Sequence, residues 1–310
     1  MLPSIVTAFL FAASGISGRR AAVNFGPLRA NALRLSLAML LLGLLAGGWG
    51  ACDFGSSAVQ RLVISGVVGF GIGDVALFLA YPRLGARLTL LLNMCSAPFF
   101  GAAGDWWLVG TGLTWAQVLS GVVILSGVGL ALGTHDRHGA LHSRSSLIAG
   151  VVFAILAGFG QGMGAALSRF AHAAMVADGV PLLPVQQAFV RTIPGSLFAL
   201  LAWGAVAWWR SSRASVPGAQ VFQPPGPASP HRWWWLLAAA FFGPALGVTC
   251  FQWALSSAPT AVVLSITSTT PLLIIPLSVL VDGDRPGRLA AMGAVIGVAG
   301  VILMVWCSQG

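Results

Sequence analysis

Charged residues are scarce in this sequence, and two kinds are missing altogether. They make up 7% of the 310 residues, whereas soluble domains carry about 25%. All 16 basic residues are arginine and all 7 acidic residues are aspartate, so lysine and glutamate are absent. The hydrophobic share is 57% and the mean hydropathy is +0.89. This composition excludes an ordinary soluble domain and predicts a multi-pass protein of the cell membrane, surrounded by the lipid bilayer.

Cysteine is also rare. The four cysteines show no CxxC or other paired spacing, which argues against a disulfide framework and against a zinc site. We expect no metal and no cofactor. The net charge of +9 would suggest a nucleic-acid partner in a soluble protein, but here the arginines stand singly between hydrophobic runs, as topology determinants do. Nucleic acid is therefore not an expected partner.

Long apolar runs, in contrast, are abundant. A bilayer core about 30 Å thick needs about 20 apolar residues per helix, and the sequence offers ten such runs. We predict spans at residues 2–21, 28–47, 61–82, 86–105, 113–133, 146–168, 185–209, 233–256, 260–281 and 288–307. The predicted fold class is an all-α membrane protein with ten transmembrane helices.

The most unusual passage of the chain occurs twice. Residues 66–98 run from a Gly-rich start through an aromatic patch and an apolar run to a proline, and residues 243–271 repeat that order roughly 173 residues later. We therefore predict a first five-helix repeat at residues 1–134, a connecting loop at 135–145 and a second five-helix repeat at 146–310. Because five is odd, the second repeat enters the membrane with the opposite orientation, which is the inverted-repeat design of many secondary transporters.

Both halves resemble the EamA repeat of the drug/metabolite transporter superfamily. The resemblance lies in LAYPRLGARLTLLLNMCSAPFFGAAGDWW and SGVVILSGVGLAL of the first half, and in WALSSAPTAVVLSITSTTPLLIIPLSVLVDGDRP and MGAVIGVAGVILMV of the second. Asp105 and Asp284 stand where the family usually has glutamate, and we expect both to be structural residues at helix ends. The resemblance implies ten helices, a central cavity and alternating access. It also implies that both termini lie inside the cell, whereas the arginines of the connections favour both termini outside the cell. The orientation is left open.

Asp74 lies within some thirty residues of membrane-grade hydrophobicity. A charge at the bilayer centre costs upwards of about 2.5 kcal/mol, so such a residue is retained for a reason. On a helix, Asp74, Phe78 and Tyr81 share one face and could line one wall of a cavity. Asp74 could bind a cationic substrate group or take up a proton; the alternative is a structural ion pair with Arg34 on the neighbouring helix. We assign the three residues to a substrate site.

Other polar side chains also occur at membrane depth. Arg34 and Arg191 occupy the same stage of the two halves; they could be snorkelling cations or anion-binding groups, and we assign them to structural charge pairing. A proline within a helix leaves one backbone carbonyl without its hydrogen-bond donor, and a nearby hydroxyl group or a bound ligand can supply that donor. Buried amide side chains also need hydrogen-bond partners. On these grounds the predicted substrate site also includes Asn93, Ser96, Gln161, Gln252 and Thr267.

The expected function is secondary transport of a small metabolite, either amino acid-like, an amine or of the nucleoside or sugar type, by alternating access and with or without proton coupling. We expect no enzymatic activity, and a monomer or homodimer. A flippase for a lipid-linked substrate is one alternative, because the superfamily contains such members. An intramembrane serine protease is another: residues 15–18, GISG, fit the GxSG signature of rhomboid-type enzymes, with Ser17 as nucleophile and His172 as a conceivable base.

Overall fold

The structure is a computed structural model that describes residues 2–47, 54–110, 112, 114–132, 144–179, 182–213, 231–274, 277 and 288–307. No strand occurs in these ranges, so the expected all-α class is confirmed for them. Most of the predicted connection 135–145 lies outside the described residues, and so does Asp284. The helices are α1 (Leu2–Phe25), α2 (Pro27–Leu45), α3 (Ser57–Gly66), α4 (Val75–Val109), α5 (Trp115–Leu132), α6 (Arg144–Ala177), α7 (Pro184–Arg213), α8 (Arg232–Ala240), α9 (Leu246–Ser257), α10 (Thr260–Thr267) and α11 (Arg288–Cys307).

Six helical stretches in the described part are long and apolar enough to cross a membrane. They are Leu2–Phe25, Pro27–Leu45, Ser57–Gly85, Arg144–Ala177, Pro184–Trp209 and Arg232–Ser257. A shorter apolar helical stretch covers Thr260–Ile274. These stretches support a multi-pass membrane protein.

The predicted boundary between the spans 61–82 and 86–105 coincides with a break in α4. Gly85 has φ 74° and ψ 173°, outside helical geometry, and Pro82 precedes it within the same element. Proline removes a backbone donor and disfavours helical continuation, and this positive φ with extended ψ is a region that glycine alone adopts without strain. Local sequence therefore explains why the chain turns here.

Two π-helical segments interrupt the helical pattern. Val67–Asp74 joins α3 to α4, and Phe241–Ala245 joins α8 to α9; we call them π1 and π2. π1 has the glycine-rich sequence VVGFGIGD, and π2 contains Pro244. Glycine, which has no side chain, and proline, which has no backbone N–H, both weaken the regular hydrogen bonds between residues i and i−4 of an α-helix. Such π-type turns are frequent at functional sites.

Glycines let helices approach to backbone contact. A Cβ built on Gly160 of α6 would lie 2.5 Å from the Cα of Gly73 in π1, so the two backbones touch at this crossing. The same holds between α5 and α11, where a Cβ on Gly127 would lie 2.3 Å from the backbone nitrogen of Gly297. Small residues at such crossings are the usual means of close packing in lipid. Gly73, Gly160 and Gly297 each belong to a GxxxG spacing of the sequence, with Gly69, Gly164 and Gly293, so these spacings form packing surfaces here.

Asp105 joins three helices at the end of α4. Its carboxylate pairs with Arg169 of α6, Nη1 to Oδ2 3.0 Å, and accepts hydrogen bonds from the backbone N–H and the hydroxyl of Thr260, at 3.0 and 2.7 Å. Thr260 is the first residue of α10, so the negative charge also faces a positive helix end. The expected structural role of Asp105 is confirmed by these contacts.

Candidate functional site

A cavity lies where α1, α2, π1, α4, α6, α7, π2 and α9 meet. Its volume is about 90 Å³, which is room for about three waters at the density of the liquid. Much of its wall is apolar, with Phe11, Leu77, Val248 and Phe251 among the lining residues. Its polar lining residues are Ser14, Arg34, Asp74, Tyr81, Asn93, Gln161 and Arg191. The cavity thus combines an apolar wall with a few polar groups, as sites for small molecules usually do.

Arg34 and Asp74 form an ion pair on the cavity wall. Nη2 of Arg34 donates to the Asp74 carboxylate and also to Oδ1 of Asn31, at 3.1 Å. The guanidinium lies 4.7 Å from the ring centroid of Phe78, a cation–π distance. Arg34 is only 5% exposed, so the two charges neutralise each other at membrane depth.

Arg191 is held without a carboxylate partner among the described residues. Its Nη1 donates to Oε1 of Gln252 at 2.9 Å, and its guanidinium lies 5.3 Å from the ring centroid of Phe70. Gln252 donates in turn to Gln187 at 3.3 Å, and Gln187 donates to the Leu182 carbonyl at 2.9 Å. This chain of amides orients the guanidinium but supplies no charge. Arg191 is 4% exposed, and its Nε has no hydrogen-bond partner.

The π segments make room for both arginines. A Cβ on Gly243 of π2 would lie 3.1 Å from Nη1 of Arg34, and a Cβ on Gly69 of π1 would lie 3.0 Å from Nη2 of Arg191. Each guanidinium therefore packs against glycine backbone that comes from the other half of the chain. A larger residue at either glycine would push against the charged group.

Two amides face the cavity from α4 and α6. Asn93 donates through Nδ2 to Oε1 of Gln161 at 3.1 Å, and Gln161 donates to the sulfur of Met94 at 3.4 Å. Oδ1 of Asn93 is buried and has no hydrogen-bond partner. A buried acceptor without a donor is costly, so a small shift that opens this atom to the cavity would let a solute or water satisfy it.

Comparison with known proteins identifies the family. The family model described as "EamA-like transporter family" matches residues 1–133 and 148–306. The chain belongs to the EamA-like transporter family. No curated protein matches the chain in sequence. A solved structure described only as the crystal structure of a protein is similar with a TM-score of 0.67 over 99% of this chain and 96% of that one, at 16% identity; this likeness concerns the fold.

The EamA-like protein brings several of the predicted site residues together and leaves others apart. Asp74, Tyr81, Asn93 and Gln161 line the cavity, and so do the two arginines. Asp74 pairs with Arg34, as the structural alternative for this residue expected. A binding role for any of them stays a prediction.

Four predicted site residues lie outside the cavity lining of the EamA-like protein. Phe78 is 1% exposed and packs edge-on against Tyr81, with ring centroids 5.3 Å apart. Gln252 lies behind Arg191 as its hydrogen-bond partner. Ser96 and Thr267 donate to carbonyls of their own helices, Leu92 at 2.7 Å and Leu264 at 3.0 Å. Their hydroxyl groups satisfy local backbone, which is the bending role that a nearby proline invites.

The π segments supply lining residues that the sequence analysis did not propose. Gly69, Phe70 and Gly73 come from π1, and Gly243 and Pro244 come from π2. Glycine repeats and a proline within an apolar run were the available signals. Such residues indicate close helix packing as readily as a site, because sequence does not show where a helix widens.

The protease alternative receives no support from the geometry. Ser17 lies in α1 and donates its hydroxyl to the carbonyl of Ala13 at 2.8 Å. Nδ1 of His172 is buried without a hydrogen-bond partner. No hydrogen bond joins the two side chains, so the described residues hold no nucleophile and base pair at this motif.

Proposed function

We propose that this protein is a secondary transporter that moves a small metabolite across the cell membrane by alternating access, with the cavity as its substrate site. The observation that carries the proposal is that one buried cavity collects charged and amide side chains from both halves of the chain. Polar groups at membrane depth mark solute pathways more often than they serve packing. Family membership supports transport as the activity.

The architecture proposed for this activity is ten spans in two inverted five-helix repeats. Three observations support it. The family model matches two separate stretches of similar length. A π segment interrupts each half at the equivalent place. Arg34 and Arg191 each pack on a glycine of the opposite half. Rocking of one repeat against the other around a central site is the motion that such folds use.

Asp74 stays a candidate for proton coupling within this proposal. Its carboxylate is engaged with Arg34 in the conformation described, so uptake of a proton would require that contact to break. Transport by exchange or uniport needs no such step.

Counterflow in proteoliposomes tests the proposal. Purified protein is screened by thermal shift against amino acids, purines, nucleotide sugars and amines, and the hits are assayed for exchange of labelled solute across the vesicle membrane. Val248→Phe adds bulk to the cavity wall, whereas Val122→Phe adds the same bulk at a position that is 48% exposed. We expect the first variant to lose exchange and the second to keep it. Exchange that survives Val248→Phe, or that no solute of the panel supports, would count against the cavity as the transport site.

A further inference from the structure

We propose that the solute is a small monocarboxylate and that Arg191 binds its carboxylate group; this inference rests on the cavity being the transport site. It narrows the substrate from metabolites in general to one charge class. The grounds are the charge balance of the cavity, the contacts of Arg191 and the size of the space.

The charge balance of the cavity is positive. Three charged residues line it: Arg34, Asp74 and Arg191. The first two are in contact, and Asp74 also attracts Arg191 at longer range, so the three side chains together carry a net charge of one positive unit. Within the described part of the chain, Arg191 has an amide and an aromatic ring as partners and no carboxylate. One positive charge therefore remains for a solute to neutralise.

Burial of this charge is informative because an unpaired buried cation is costly. The guanidinium is not free to reach the membrane surface. It is fixed by Gln252 on one side and packed against Gly69 and Gly164 on another, where added Cβ atoms would lie 3.0 and 3.3 Å from Nη2. Three amide and carbonyl groups in series hold this orientation. A group that is held in place but left unneutralised is preorganised for an anion.

Arginine also suits a carboxylate in particular. Its planar guanidinium matches the two oxygens of a carboxylate, and the ionic hydrogen bonds formed are about twice as strong as neutral ones. The unpartnered Nε of Arg191 is a further donor, which a solute reaches only after a small shift of the side chain because the atom is buried. An amine would instead meet an excess of positive charge, since the one carboxylate of the lining is already engaged with Arg34.

The volume of the cavity limits the size of the solute, and the lining residues suggest the chemistry of the part beyond its carboxylate. A volume of about 90 Å³, or about three waters, limits the solute to a small molecule in this conformation. Apolar side chains such as Phe11, Leu77 and Phe251 line much of the wall and suit a short hydrocarbon part. The unpartnered Oδ1 of Asn93, once a small shift opens it to the cavity, accepts a hydrogen bond from a hydroxyl or ammonium group. Both a hydroxy acid and an amino acid meet this description, and they share the carboxylate that Arg191 binds.

Matched solutes test the charge requirement in the unmodified protein. Binding and counterflow are measured for L-lactate against L-lactamide and for L-alanine against L-alaninamide, with choline as a cation and succinate as a dianion. Each amide keeps the size of its acid and loses the negative charge. We expect at least one acid to bind between about 10- and 100-fold more tightly than its amide, with choline and succinate excluded. Lactate and alanine distinguish a plain carboxylate from a zwitterion.

Variants then assign the binding to Arg191. We expect Arg191→Gln to bind the acid as weakly as the unmodified protein binds the amide. The variant should therefore bind the acid and its amide equally. Arg61→Gln is the matched control, because Arg61 is partly exposed and packs over Phe170, away from the cavity lining. Retention of acid over amide selectivity in Arg191→Gln would overturn the inference.

The outcomes separate the inference from the proposed function. If an amine or a neutral solute exchanges across the vesicles and acids do not, the protein is a transporter but the carboxylate inference is wrong. If no solute exchanges while the protein is folded by size-exclusion chromatography, the transport proposal itself fails. Should Arg191→Gln not fold, the comparison of acids with amides in the unmodified protein still decides.

Discussion

Substitution of Arg34 and Asp74 can show whether their ion pair stabilises the fold, takes part in transport, or both. The perturbation is a double-mutant cycle of Arg34→Gln, Asp74→Asn and the two together. Asp74→Asn leaves a guanidinium that is 5% exposed with its contacts to Asn31 and the Phe78 ring but without its carboxylate. Arg34→Gln leaves a carboxylate without its cation. The double variant leaves neither charge.

The expected magnitudes follow from the cost of an uncompensated buried charge. Removal of one partner of a buried pair costs about 3–5 kcal/mol, whereas replacement of both is often near neutral. Because Arg34 keeps a hydrogen bond and a cation–π contact, we expect about 3 kcal/mol for Asp74→Asn. We expect about 1 kcal/mol or less for the double variant. At about 2 °C per kcal/mol, the apparent melting temperature falls by about 6 °C and about 2 °C, respectively.

Two assays read the cycle. Thermal unfolding of purified protein gives the coupling free energy, and single-variant losses that simply add in the double variant would refute the compensation argument. Counterflow across a pH series gives the functional answer. We expect the double variant to keep the pH profile of the unmodified protein, because the pair acts as a neutral structural unit. A pH dependence that disappears with Asp74 would instead identify it as a proton-coupling residue.

Three further predictions concern the scaffold. Asp105→Ala is expected to cost about 3–5 kcal/mol because a buried carboxylate with three contacts is lost. Arg169→Gln should cost less, about 1–3 kcal/mol, because the buried carboxylate loses its cation but keeps both hydrogen bonds from Thr260. Equal losses in thermal unfolding would contradict this order. Gly160→Leu is expected to lower the folded yield on size-exclusion chromatography at least tenfold, whereas Gly204→Leu, where an added Cβ meets nothing within 4 Å, should not; similar yields would disprove backbone contact at the crossing. Gly85→Ala should lower stability by about 1–3 kcal/mol through backbone strain alone, since the site is open, and an unchanged melting temperature would show that α4 is continuous there.

The fold was readable from the sequence to the extent that hydropathy and glycine spacing determine it. A helix in lipid must satisfy its own backbone over the bilayer thickness, so apolar runs predict helices and a proline followed by glycine predicts the break at Gly85. The pairing of Gly73 with Gly160 was only half predictable. The spacing shows that each helix has a surface for close contact, but not which surface meets which.

The site was less accessible to sequence reasoning, for physical reasons. Arg34 and Asp74 could be matched, because a buried carboxylate needs a cation and few were near. Arg191 was assigned to charge pairing, yet the described residues place no carboxylate against it. Its neutralisation depends on three-dimensional neighbours that no spacing reveals. The π segments π1 and π2 likewise depend on both the local residues and the packing around them. Glycine and proline permit a π turn, but they do not determine where it forms.

On the proposed architecture, the difference between the two arginines would give a duplicated scaffold a preference for one charge class of solute. Arg34 and Arg191 occupy similar positions and pack on equivalent glycines, Gly243 and Gly69. In the first half a carboxylate follows at Asp74. In the second half Gly247, Val248 and Thr249 stand where it would recur, and Gln252 is the arginine's partner. A symmetric pair of carboxylates would leave the cavity neutral and without preference for charge. Because the described residues pair one arginine with a carboxylate and not the other, we infer that the solute supplies the second negative charge.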